Sequence, residues 1–248
     1  MRSPFLLWII RPIATGLLLM AFEIASASAQ VSVVGCRADG QMGPTDPPKH
    51  IEGVPPVPPS AASELAFYAS AQLGVLAPRG WHCFGLYGSS GVQIIVTPEP
   101  HNADDLLSSS SGLTGPAVQL SYIYGGTSGR YAVAKIAARL FPAAAAYVEQ
   151  VIDEGILSKE EFPSGVYPGD ILVRRNDTEV EYQTPANNDG IGTHSRLVKN
   201  AMSIDGVALL FPKRDIDLVK IDIRVPPHMR HLVPIVVTAV ERRKGEAP

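Results

Sequence analysis

Apolar positions in this chain fall into short blocks whose spacing switches between helical and alternating. After Ser60, which suits a helix N-cap, Ala62, Leu65, Ala66, Ala69 and Leu73 recur at helical spacing. Gly74 stands where such a helix would stop, so the pattern predicts a helix over 62–73. Two strand-like runs follow, 81–87 and 92–97, joined by Gly88-Ser89-Ser90-Gly91 as a hairpin with a four-residue turn. Residues 101–116 are polar and serine-rich and read as a surface loop. The run 118–124 predicts another strand, which passes through a glycine-rich turn into a helix carrying Tyr131, Ala134, Lys135, Ala138 and Phe141 on one face. Pro142 cannot continue that ladder, so a second helix is expected over 143–154, with Gly155 past its end.

The remainder is strand-rich. Short runs at 171–174 and 179–184 precede stronger ones at 206–211 and 218–225. In the last of these Val219, Ile221, Ile223 and Val225 alternate with charged residues, which predicts one solvated face. Met229, Leu232, Val233, Val236 and Val240 fit a closing helix over 228–243 despite Pro234. This order of elements predicts an α+β fold, a mainly antiparallel sheet packed with several helices, in a single domain over 60–248.

The first 59 residues have another character. Arg2 and Arg11 flank an apolar start, an uncharged run spans 12–22, and Ala27-Ser28-Ala29 offers the small side chains a signal peptidase accepts. Residues 1–29 therefore read as a signal peptide, with an apolar run too short to span a bilayer, leaving no transmembrane segment once it is removed. Residues 30–59 form a proline-rich arm, with seven prolines between Gly43 and Pro59, suited to an extended spacer. Val33-Val34-Gly35-Cys36 loosely resembles a lipoprotein box, but it does not abut the apolar stretch.

Composition narrows the class. An apolar content of 46% excludes a disordered chain, and two cysteines among 248 residues exclude a disulfide-built miniprotein. The net charge is −3, and losing Arg2, Arg11 and Glu23 with the leader makes it −4, which argues against a nucleic-acid partner held by bulk charge. In an oxidising compartment Cys36 and Cys83 are expected to form a disulfide tying the arm to the domain. The expected location is periplasmic or secreted.

The segment Leu76-Ala77-Pro78-Arg79-Gly80-Trp81-His82-Cys83-Phe84-Gly85-Leu86-Tyr87-Gly88-Ser89-Ser90-Gly91 resembles one found in uncharacterised exported bacterial proteins, accompanied by Gly126 to Arg130 and Gly190 to Thr193. That resemblance implies a bacterial envelope setting and no particular activity.

The chemistry-bearing candidates are few. Gly126, Thr127, Ser128, Gly129 and Arg130 follow a strand and open a helix, where free amides, two hydroxyls and a guanidinium suit an anion; the alternative is plain helix capping. Residues 189–196, with His194 and Ser195, invite a hydrolase reading in which Ser128, His194 or Ser195 acts with a distant partner, but no nucleophile elbow is present. Trp81-His82 reads as a core aromatic and a strand-start residue rather than a cleft. His228 and His231 lack further ligands for a metal, and Glu179 with Glu181 reads as a solvated acidic face rather than a glycosidase pair. Arg242-Arg243-Lys244 suits a helix C-terminus. No cofactor motif is present. The expectation is an exported, non-catalytic binding or interaction domain for an envelope ligand or protein. An envelope hydrolase, or an accessory protein docked through its proline arm, is the alternative.

Overall fold

The computed structural model describes residues 28–107, 112–212 and 215–242. The expected leader lies almost wholly outside the described residues; Ala29, its last residue, exchanges two backbone hydrogen bonds with Val57. In chain order the first strands are β1 (Ser32–Gly35), β2 (Ala38–Gly40), β3 (Leu65–Ala69), β4 (Gly74–Pro78), β5 (His82–Gly88) and β6 (Gly91–Thr97). A short helix α1 (Ala103–Leu107), β7 (Ala117–Ile123), α2 (Arg130–Leu140) and α3 (Ala145–Asp153) follow. The chain closes with β8 (Ile171–Asn176), β9 (Glu179–Thr184), β10 (Ile204–Pro212), β11 (Ile216–Arg224) and α4 (Val233–Arg242).

Eight strands form one sheet in the order β2-β5-β6-β7-β11-β10-β9-β8, and β1-β3-β4 form a second. Among the described strands β1–β3 and β2–β5 pair in parallel and the others antiparallel. The α+β class, with mostly antiparallel pairing, is the one expected, although strands dominate the helices. Segment 30–59 is woven into both sheets through β1 and β2, and Val57 is buried. Cys36 and Cys83 are joined in a disulfide, as expected, pinning the β1–β2 connection to β5.

Three expectations are corrected. Residues 62–73 are not a helix: β3 and β4 form an antiparallel hairpin buried along its length. A strand covered on both faces loses its alternation, and its apolar run then fits helical spacing equally well. Gly74 acts as a strand residue lying against the Phe67 ring, where a Cβ would come within 2.4 Å. The β5–β6 turn is tighter than expected, because Gly88 pairs with Gly91 and leaves a two-residue loop; Gly91 takes φ 147°, a backbone state that requires glycine.

The third correction positions the site. The charged face of β11 is not solvated, since Lys220, Asp222 and Arg224 expose 1%, 0% and 0% of their surface. One face of the large sheet, with Ile94, Leu120, Ile221 and Leu209, packs on the small sheet and α4 in the main apolar core. The other face carries two apolar clusters, one under α2 and α3 and one around Leu86, Ile95, Leu113 and Leu197. Polar side chains from β6, β7 and β11 run between those clusters.

Candidate functional site

Register aligns the polar strip. Gln93 on β6 pairs with Ser121 on β7, which pairs with Lys220 on β11. In the neighbouring row Gln119 pairs with Asp222, Asp222 with Gly206, and Gly206 with Tyr182. Because side chains alternate across a strand, all the side-chain-bearing members of these rows stand on one face. Gly206 contributes only a gap, through which Tyr182 reaches Asp222 Oδ1 at 2.6 Å and the Ile221 carbonyl at 2.7 Å.

Lys220 is held by Asp222 Oδ1 at 2.5 Å and donates to the His194 carbonyl at 3.2 Å. Burial pulls both members of this pair toward their neutral forms, lowering the lysine pKa and raising that of the aspartate, while their mutual attraction opposes the shift. Burial and Asp222 push the Tyr182 phenol well above its ordinary value, so it stays a hydrogen donor. Gln119 Nε2 donates to Ser121 Oγ at 3.0 Å, and its oxygen accepts the Arg196 backbone N–H at 3.0 Å.

The roof consists of α2 and the loop after a 3-10 turn at Ile191–Thr193. Asp170 and Thr184 fix that turn: Ile191 N–H donates to Asp170 Oδ2 at 2.8 Å and Gly192 N–H to Thr184 Oγ1 at 2.9 Å. The following residues are thereby set over the sheet. The Arg196 guanidinium donates to the Leu106 carbonyl and to Gln93 Oε1. Arg224, fully buried, ties down the same region by donating to the carbonyls of Leu113, Gly115 and Val198. Between strip and roof lies a cavity of about 310 Å³ whose lining includes Gln93, Ser121, Ala132, His194, Arg196 and Lys220. A second cavity of about 400 Å³, toward Leu86 and Val92, shares Gln93, Ile123, Ala132 and Arg196 with it.

His194 and Ser195 both line the cavity, yet they do not form a catalytic pair. Ser195 Oγ donates to the Gly192 carbonyl at 2.7 Å, whereas His194 Nε2 meets the Tyr167 hydroxyl at 2.5 Å. Partial burial, followed by the charges of Lys220, Arg139 and Lys135, pushes the His194 pKa down to about 4, although much of the residue is exposed. Ser128 stands elsewhere, with its hydroxyl 3.3 Å from that of Ser89.

The glycine-rich turn at 125–129 is densely self-bonded. Gly125 N–H donates to Asp217 Oδ1 at 2.8 Å, and Thr127 Oγ1 donates to the Tyr124 carbonyl while accepting from Gly129 N–H. Arg130 gives its Nε–H to Glu154 at 2.7 Å and further donors to the Thr127 carbonyl and the Tyr131 hydroxyl. Gly126 lies beside Asp215, whose carboxylate would meet an added Cβ at 2.7 Å. Asp217 and Glu154 therefore already take donors of this turn, and the Asp215 carboxylate lies beside it. Its glycines answer close backbone approach rather than positive φ, since a Cβ on Gly125 would lie 1.9 Å from the Ile216 carbonyl oxygen.

Members of the other pairs considered from sequence have partners of their own. His231 engages Glu64 at 3.1 Å, Glu181 engages Arg175, and the Trp81 backbone N–H donates to the Tyr68 hydroxyl at 3.0 Å. A further cavity of about 260 Å³ is lined by apolar side chains such as Phe67, Leu120 and Phe211 and by polar ones including His50, Glu52, Ser70 and Gln72. Among the described residues no helix is long and apolar enough to cross a membrane. Comparison with protein-family models, characterised proteins and solved structures found no match.

Proposed function

We propose that this chain is an exported, non-catalytic ligand-binding domain whose seat is the cavity between the polar strip and α2. One observation carries the reading. Gln119, Ser121, Lys220 and Asp222 are nearly or fully buried on a sheet face whose flanks are apolar. Burying polar and charged groups is costly where an apolar file would pack as well, and such local departures from apolar packing concentrate where function requires them. The cavity is polar at its floor and shares Gln93, Ile123, Ala132 and Arg196 with a neighbouring, mostly apolar cavity.

The disulfide and the leader-like start support export. A hydrolase has less support, because the Ser195 and Ser121 hydroxyls bond to other groups than the imidazole and Ser128 lies by Ser89 instead. The glycine-rich turn has less support as an anion seat, because carboxylates already face its donors.

The test is a thermal-shift screen of a chemically diverse fragment library against wild type and Ala132→Trp. Ala132 is exposed on α2 and lines both cavities, so the indole fills the seat without disturbing the core. Stabilising fragments that lose their effect in Ala132→Trp support the reading. Fragments that stabilise both proteins equally contradict it, as does a screen with no binder.

A further inference from the structure

We propose that the seat takes an organic monocarboxylate, with its carboxylate between Arg196 and Lys220 and its carbon body along Ile123 and Ala132. This names the ligand class of the site proposed above and rests on that reading.

The cavity lining holds Lys135, Arg196 and Lys220 as cations and no carboxylate. Lys135 is matched by Glu161 at 2.5 Å, and Lys220 by Asp222 at 2.5 Å. Arg196 is different. Its partners among the described residues are a carbonyl and an amide oxygen, neither of them charged. One positive charge thus stays uncompensated at a half-buried position, which fits a ligand with a single negative charge.

The donors agree with the charge. Arg196 uses two of its N–H groups, and Lys220 uses two of its three. Ser121 Oγ accepts from Gln119 and keeps its own hydrogen to give. The site therefore offers donors in excess of acceptors, and a guanidinium fork matches the plane of a carboxylate. His194 stays neutral across the physiological range, so it adds neither charge nor competition there. The neighbouring cavity toward Leu86 and Val92 is mostly apolar and is lined by Ile123 and Ala132 as well, which offers a short carbon chain an apolar path along these two residues.

The experiment is calorimetric titration of the full disulfide-bonded chain with hexanoate, 1-hexanol, hexylamine and hexyl phosphate at two salt concentrations. Hexanoate is expected to bind at least tenfold more tightly than the other three, and more weakly at high salt. In Arg196→Gln its affinity should fall at least tenfold, with Arg196→Lys recovering part of the loss. Tightest binding of hexyl phosphate, hexanol or hexylamine would overturn the ligand class while leaving the seat intact, provided Ala132→Trp abolishes it. Absence of all binding, together with a fragment screen that finds other ligands at the seat, would overturn this inference alone. Absence from both experiments removes the seat itself. Should Arg196→Gln fail to fold, the wild-type ranking of the four probes decides.

Discussion

Tyr182 and Asp222 meet at 2.6 Å across the gap left by Gly206, on strands that are not neighbours. The contact depends on the missing side chain, because a Cβ on Gly206 would stand 2.0 Å from the Ile221 carbonyl oxygen and 2.5 Å from the Tyr182 hydroxyl. Gly206→Ala should therefore cost about 3 kcal/mol or more, beyond a typical overpacking penalty. Urea unfolding checks this; a loss below about 1 kcal/mol would mean the bond is dispensable.

Lys220 and Asp222 form a buried pair, so removing one charge is worse than removing both. Lys220→Met should destabilise by about 3–5 kcal/mol because it leaves a buried carboxylate uncompensated. Adding Asp222→Leu should return most of that loss, while Tyr182 keeps the Ile221 carbonyl as acceptor. A double-mutant cycle on unfolding free energies measures the coupling, and additive losses would contradict it.

The fold was legible in sequence where one face of an element meets solvent or where a breaker stands. Strand β9 and helix α3 lie close to their expected positions because Glu179 and Glu181 alternate with buried Val180 and Tyr182, and because Pro142 and Gly155 bracket the helix. The β3–β4 hairpin was not legible, since Leu65 to Ala69 are all buried and their order holds no alternation. The site was half legible. Alternation on β7 and β11 places Gln119, Ser121, Lys220 and Asp222 on one face, and that signal was available. What covers them was not: residues 191–198 arrive from a distant part of the chain, held by Asp170, Thr184 and Arg224. Sequence singles out His194 and Ser195 only as hydrolase candidates that need a distant partner, whereas their place is in the wall of a cavity.

Arg224 is a structural pin whose partners among the described residues are carbonyls rather than carboxylates. Burial lowers its pKa to about 10, which still leaves it charged, and three carbonyl oxygens share its donors. Arg224→Met should unsatisfy those carbonyls and loosen residues 112–116 and 196–200 before the sheet. Hydrogen exchange should show faster exchange confined to these loops, together with a loss of about 2–4 kcal/mol in global stability. Uniformly faster exchange, or none, would contradict the pin.

The depressed pKa of His194 makes stability fall on acidification. Its folded value of about 4 lies below the ordinary 6.5, so between those pH values the unfolded chain binds the extra proton. This contribution is fully present above about pH 6.5 and is lost progressively as the pH falls toward 4. In His194→Gln that part of the slope is absent, so the variant should gain on wild type between pH 7 and pH 4.5. Parallel stability profiles from urea unfolding across this range would show that His194 titrates normally.

The central claim is that ligand sits over the polar strip, and amide shift mapping by NMR locates it most directly. Hexanoate, or the best fragment from the thermal-shift screen, is titrated into isotopically labelled protein. The account predicts saturable shifts at the backbone amides of Gln93, Gln119, Ser121, Ala132, Ser195 and Arg196, abolished in Ala132→Trp. Shifts centred instead on Gly126 to Arg130, or on the turn from Ser70 to Gly74 beside the cavity lined by Phe67 and Phe211, would contradict it.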